Sequence, residues 1–387
     1  MISYNWRLNI ATMLFFTFIQ IVIPLIPRYA VVMNISPFII GLAISTMSIT
    51  AIIVRPVGGI LSDKWSRKNI MIISVILASI AYIILSLSKD VETIIISRII
   101  EGVAIALFVP SSIASAIDYA PQGRIGEALG WRSLTIGVGF SLGPSLGGFM
   151  AEVLGYNNTF MITSLLLPFI IPIIISCKEC PHQQTPKSSN YLMGLKEQHF
   201  LLALITLIIY STAWMGLLTF LSAYLKIENY GDLEIGMFIA IQAIVSIIIR
   251  VFAGRLSDIK PYLTTTIGLF IISISFFAIY IFEVPPLLYI ASLIFGIGVG
   301  IYIPASQTLA LAKAPAHNRG FLSSIYIMGM DIGNLSGPII FGAIIERFNS
   351  YHVAFLIAPI LLLITTLILL PYSIKNEIKV CVFKHQK

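Results

Sequence analysis

Apolar runs of about 20 residues recur twelve times along this chain, punctuated by Gly, Pro and charged residues, and nothing else constrains the fold as strongly. A run of that length crosses the hydrocarbon core of a bilayer as an α-helix, because a helix satisfies its own backbone polar groups where water is absent. The runs fall near 8–30, 37–61, 69–88, 92–116, 127–150 and 158–176, then near 200–222, 233–256, 262–282, 286–312, 320–345 and 351–373. A polar stretch from Lys178 to His199 separates the two sets. The expected fold is an all-α membrane protein of twelve transmembrane helices, with one six-helix bundle over 1–177, a linker over 178–199 and a second bundle over 200–387. Composition agrees: 58% of the 387 residues are apolar and 11% charged, against about 45–50% and 25% in soluble domains. Twelve spans of about 20 residues leave roughly eleven for each loop or tail, so no folded soluble domain fits beside them.

The basic residues set an orientation. With the N-terminus inside, sixteen Lys and Arg fall on the cytoplasmic side, including Arg7, Arg67, Lys68 and Lys375. Four, Arg28, Lys89, Lys226 and Arg347, fall on the other. Positive-inside bias then places both termini and the central linker in the cytoplasm, in a cell membrane. The same distribution accounts for the net charge of +7 without a nucleic-acid partner. The run from Leu8 to Ile26 exceeds a signal-peptide core and is read as a retained first helix. Three cysteines make no disulfide framework, and the Cys177-Lys-Glu-Cys180-Pro-His182 stretch lacks a second ligand pair, so no metal site is expected.

The halves repeat. Tyr29, Gly41, Arg55, Gly59, Leu61, Ser62 and Asp63 recur 195 residues later as Tyr224, Gly236, Arg250, Gly254, Leu256, Ser257 and Asp258. Pro110, Pro121, Gly143, Pro144 and Gly148 recur 194 residues later as Pro304, Pro315, Gly337, Pro338 and Gly342. Six spans is an even number, so both copies enter the membrane from the same side. Such a parallel repeat has its axis along the membrane normal, and a site shared by rocking halves can face either side.

Three motifs carry chemistry and a family resemblance. Gly59-Ile-Leu-Ser-Asp63-Lys-Trp-Ser-Arg67-Lys68, between spans 2 and 3, resembles the helix 2–3 loop signature of the major facilitator superfamily, with Ser66 where that family usually has Gly. Asp118, closing span 4, is the candidate partner of Arg67. Gly254 and Asp258 begin a second copy that lacks the basic end. In span 5, Gly130, Gly139, Gly143, Pro144 and Gly148 match the family's antiporter signature, and Gly333, Gly337 and Pro338 in span 11 repeat part of it. Small residues on one face let helices approach closely. In span 4, Arg98-Ile-Ile-Glu101-Gly102 resembles the family's R-x-x-(Q/E)-G element.

The repeat also acts as a filter: features in both halves are scaffold, and charges in one half are functional candidates. Arg98 and Glu101 align with Leu293, Phe295 or their neighbours, and Asp331 in span 11 aligns with Gly137. Charges inside a membrane are costly and mark function by default. Glu101 and Asp331 are therefore expected to include a proton-exchanging carboxylate, with Arg98 tuning it; a static Arg98–Glu101 bridge is the alternative. Arg55, Arg250 and Arg132, near cytoplasmic helix ends, are read as structural, snorkelling or latch residues.

The resemblance implies a central cavity, for which Gln20, Tyr210, Trp214, Tyr302 and Gln307 are the lining candidates. It implies alternating access and, through the antiporter signature, proton-coupled efflux of small amphipathic or drug-like molecules. A proton symporter or uniporter for sugars or organic anions is the alternative. The expected partners are a small-molecule substrate, protons and the bilayer, around a monomer without cofactor. No HExxH zinc helix and no GxxxxGK(S/T) phosphate loop is present, so metalloprotease chemistry and ATP-driven pumping are not expected.

Overall fold

The structure, a computed structural model, describes residues 6–64, 66–120, 125–177, 195, 197–282, 284–311 and 319–384. Among them are twelve helices long and apolar enough to cross a membrane and no strand. Spans 1 to 6 are Trp6–Val32, Pro37–Gly58, Arg67–Ser86, Val91–Asp118, Gly130–Leu154 and Tyr156–Ile175. Spans 7 to 12 are Gln198–Ile227, Asp232–Arg250, Pro261–Ile281, Leu287–Leu311, Ile325–Phe348 and Tyr351–Lys375. Span 1 is not one continuous helix: it breaks between Val22 and Leu25, at Pro24, which has no amide to donate. The linker expected at 178–199 lies outside the described residues except for 195 and 197–199.

Helix ends follow local chemistry. Extended Ser66 caps span 3 by accepting from the Asn69 amide at 3.4 Å. Asp90 caps span 4, accepting from the Thr93 hydroxyl at 2.7 Å and its amide at 2.8 Å, and these bonds hold its carboxyl below the usual range. Four turns close through the left-handed region. Asn34 (φ 57°) and Asn229 (φ 63°) follow spans 1 and 7, while Gly155 (φ 79°) and Asn349 (φ 50°) separate spans 5 from 6 and 11 from 12. Asparagine and glycine are the residues that reach this region readily.

The chain forms two compact units. The first holds residues 1–185 together with 219–240, and the second 186–218 and 241–387. The second half's spans 7 and 8 are thus divided: their linked tips group with the first unit.

Within each unit the same junctions recur. In the first, a Cβ on Gly143 of span 5 would lie 2.5 Å from the Gln20 Cβ and 2.8 Å from the Thr17 carbonyl of span 1. In the second, a Cβ on Gly337 would meet the Thr212 carbonyl of span 7. Gly102 abuts the Met47 carbonyl, and Gly296 the Gln242 carbonyl. Ser79 donates to the Ser164 carbonyl at 2.7 Å, and Ser273 to the Pro359 carbonyl at 2.9 Å. Spans 3 and 4 are bridged by the Ser97 hydroxyl on the Ala81 carbonyl at 2.8 Å. Spans 9 and 10 use the reverse donor, Ser275 on the Ala291 carbonyl at 3.0 Å. These contacts are backbone approaches enabled by small side chains, which is how helices associate where lipid supplies no hydrophobic drive.

Candidate functional site

Span 4 carries the first cluster. Its residues 98 and 101 are one turn apart on one face, and both are fully buried. The Arg98 guanidinium forms an ion pair with the Glu101 Oε2 and reaches the Met47 Sδ of span 2 at 3.1 Å. The other Glu101 oxygen accepts from the Tyr82 hydroxyl of span 3 at 2.9 Å. Both carboxylate oxygens are engaged, and the cluster is wedged among spans 2, 3 and 4. At the equivalent positions of the second half stand Ser292, Phe295 and Phe276. There the two phenyl rings pack 5.2 Å apart, and Trp214 of span 7 lies 4.4 Å from Phe295. An ionic cluster in one bundle corresponds, by the repeat, to an aromatic one in the other. The sequence reading missed Tyr82, although its replacement by Phe276 in the repeat was the available signal.

Asp331 sits about two turns into span 11, with 9% of its surface exposed. The cavity candidates divide. Gln20 and Tyr210 are buried, and Trp214 is half-buried. Gln307 is exposed. Tyr302 is fully buried, 4.9 Å from the Tyr210 ring, with its hydroxyl 3.3 Å from Thr206 and its backbone where a Cβ on Gly268 would clash. It packs among spans 7, 9 and 10 of its own unit.

The loop signature is partly described. Arg67 forms an ion pair with Asp118 and donates to the Ala114 carbonyl at 2.7 Å, tying the start of span 3 to the end of span 4. Lys68 donates to the carbonyls of Ile175 and, at 3.3 Å, Cys177, closing the end of span 6, where a cation suits the helix dipole. Gly59, Gly254 and the side chains of Asp63 and Asp258 lie outside what is described.

In span 5 the signature glycines have separate contacts. A Cβ on Gly139 would lie 2.9 Å from the Thr17 amide, so Gly139 and Gly143 seat span 5 on span 1. Gly148 abuts the Asp232 carbonyl at the start of span 8, and Gly130 meets nothing within 4 Å. Pro144 exposes its carbonyl to Gly236. In span 11, Gly333 meets the Ser211 Cβ at 2.5 Å, which with Gly337 seats that helix on span 7, and Pro338 follows inside the same helix. Span 5 also spells G-x-S-x-G, around Ser141 and Ser145, but both serines lie inside an unbroken helix. In α/β-hydrolases the serine of this motif stands on a sharp strand-to-helix turn, a geometry that neither serine has here.

Two further arginines are buried. Of the roles open to Arg132 the structure shows the structural one: it donates from Nε and Nη2 to the Ser112 hydroxyl at 3.1 and 2.7 Å rather than snorkelling. Its repeat mate Tyr326 donates to Ser306 at 2.9 Å, so this is a scaffold contact. Arg28, read as a loop cation, is fully buried in span 1 beside Asp232. The depth of Arg28 was missed because a helix end was equated with exposure. Among the described residues no group of three or more His, Cys, Asp or Glu is placed to hold a metal ion.

The Major Facilitator Superfamily profile matches residues 8–328 and 264–379. The chain is 27% identical over 357 residues to multidrug resistance protein 1 of Bacillus subtilis (strain 168), covering 88% of this chain and 90% of that one. It is 25% identical over 344 residues to the quinolone resistance protein NorA of Staphylococcus aureus (strain COL), covering 86% and 87%. The structure of a bacterial homologue of the human lysosomal transporter Spinster, inward-facing and unoccupied, is similar in fold. Its TM-score is 0.82 at 16% identity, with 97% of each chain covered.

Proposed function

The chain belongs to the major facilitator superfamily, and from that premise we propose that it is a proton-coupled exporter of small amphipathic or drug-like molecules, working by alternating access. The observation that carries the reading is the buried Arg98–Glu101–Tyr82 cluster, present in one bundle and replaced by aromatics in the other. A scaffold that packs equally well with apolar groups retains buried charges for function. Similarity to drug-resistance proteins over nine-tenths of both chains supports efflux as the direction. Both termini then face the cytoplasm, as the basic loops require.

Glu101 and Asp331 are the proposed proton-exchanging groups, with Arg98 as the positioning cation. Arg98 is enclosed by Glu101 and Met47 rather than presented to open space, which favours coupling over direct contact with an anionic substrate. The test uses inside-out vesicles energised to acidify their lumen, a pH-quenched dye and a panel of cationic drugs, sugars and organic anions. Fluorescence recovery on adding a compound, absent without the protein, establishes antiport and identifies a substrate class. Glu101→Gln and Asp331→Asn, checked for expression, should abolish or strongly reduce that recovery. Full retention in both removes these carboxylates from the proton path and leaves Arg98–Glu101 as a static bridge. No recovery with any compound refutes efflux and favours symport or uniport.

A further inference from the structure

We propose that Arg28 and Asp232, with Tyr156 and Lys226, form an ionic lock that holds the tips of spans 7 and 8 against spans 1 and 6 and must break once in every transport cycle. The inference rests on the alternating-access reading above, and its own test does not depend on transport.

The cluster lies at the end of the helices opposite the chain's N-terminus, entirely within the first compact unit. Arg28, fully buried, donates from Nη1 to the Asp232 backbone carbonyl at 3.0 Å and pairs with its Oδ1 at 3.5 Å. The Tyr156 hydroxyl of span 6 lies 2.8 and 2.9 Å from the two Asp232 oxygens. Lys226, at the end of span 7, pairs with Oδ2 at 3.0 Å and stands 5.5 Å from the Tyr156 ring centre. Glu152 of span 5 accepts from the Leu233 amide at 3.3 Å, and Glu234 from the Gly231 amide at 3.0 Å, so two further carboxylates fix the first turn of span 8. Backbone contact brings the groups together: Gly148 abuts the Asp232 carbonyl, and Gly236 abuts the Pro144 carbonyl.

Two properties suit a lock better than a permanent brace. First, the repeat does not preserve it. Arg28 corresponds to Ala223, Lys226 to Val31 and Asp232 to Pro37, whereas scaffold junctions recur in both halves. Second, it is incompletely satisfied. Among the described residues, Arg28 Nε and Nη2 have no hydrogen-bond partner although fully buried. A buried guanidinium with open donors gains by reaching water, so the closed arrangement holds without being a deep trap. A tip of spans 7 and 8 tied to spans 1 and 6 by charge closes that end of the helices; removing the charge should release it.

The reporter is a single cysteine at Ile235, buried on the same face of span 8 as Asp232, with Cys177, Cys180 and Cys381 replaced by Ala. A membrane-impermeant maleimide is applied to intact cells and to inside-out vesicles, without substrate. Arg28→Gln and Asp232→Asn should each raise the labelling rate about tenfold as the open population grows, in cells only. Lys226→Met, which leaves the Arg28 pair, should raise it less. The exchanged pair Arg28→Asp/Asp232→Arg should bring labelling back toward the starting rate. Unchanged labelling in both single variants overturns the lock. A rise that the exchange does not reverse also overturns it, since lost packing rather than lost pairing would then be the cause. Labelling confined to the vesicles would refute the orientation of the proposed function while leaving the lock itself supported.

Discussion

Removing Glu101 tests whether the buried cluster is held for function or for stability. Glu101→Leu leaves the Arg98 guanidinium with the Met47 sulfur as its remaining described contact, in a position without solvent exposure. Breaking a buried pair from one side costs about 3–5 kcal/mol, because the surviving charge is uncompensated. The Tyr82 hydroxyl loses its acceptor as well, adding about 1–3 kcal/mol for an unsatisfied buried donor. Removing both charges is different. Ser292, Phe295 and Phe276 fill the same places in the second bundle, with two rings 5.2 Å apart, so this junction packs without ions. The triple variant Tyr82→Phe/Arg98→Met/Glu101→Leu should therefore melt near the wild-type temperature in matched detergent micelles, while Glu101→Leu alone melts far below it. Proton-coupled transport should be lost in both. If the triple variant loses about the sum of its single losses, the groups act independently and the argument from the second bundle fails.

Three further outcomes follow from contacts elsewhere. Gly143→Leu should destabilise or block folding, since even a Cβ would sit 2.5 Å from Gln20, and overpacking costs about 1–3 kcal/mol; Gly130→Leu, with nothing within 4 Å, should express and melt normally. Asp118→Asn removes the carboxylate charge facing Arg67 at 12–13% side-chain exposure and should lower stability by about 1 kcal/mol or less, read as a small melting shift. Asn349→Gly should be tolerated and Asn349→Val should cost about 1–2 kcal/mol, because φ is 50° there and a branched Cβ is strained in that region.

The fold was legible because its physics is written in one dimension. A span requires only an uninterrupted apolar run, so the twelve helices could be read directly, and matching landmarks at a fixed offset pointed to the junctions that recur in both halves. The break in span 1 was present in the sequence as Pro24 but was masked by the apolar residues around it. Side-chain depth was less legible. Arg28 and Arg132 lie near helix ends, where a sequence reading assigns water, yet both are covered by neighbouring helices. Their partners, Asp232 and Ser112, are 204 and 20 residues away, and hydropathy carries no record of such pairings. Tyr302, a cavity candidate by its place on span 10, is fully buried with its backbone against Gly268, where the missing side chain makes room, a packing depth that hydropathy does not record.

Where the repeat holds, the contacts are close approaches of backbone to backbone: Gly143 on span 1 and Gly337 on span 7, Gly102 on span 2 and Gly296 on span 8. At several places where it breaks, one half carries charge. Arg98 and Glu101 correspond to Ser292 and Phe295, Arg28 to Ala223, and Asp331 to Gly137. This division has a physical reason. Under the alternating-access reading proposed above, two bundles that rock about a common axis need equivalent packing, so that neither is distorted as the other moves, and glycine contacts supply that without directional bonds. Under the proposed coupling, a proton and a substrate exclude one another by competing for the same ionisable groups, and here those groups stand in one bundle without a charged counterpart in the other. The ionic residues therefore mark where symmetry was given up, and the span 4 cluster and the proposed span 1–span 8 lock are two such departures among the described residues.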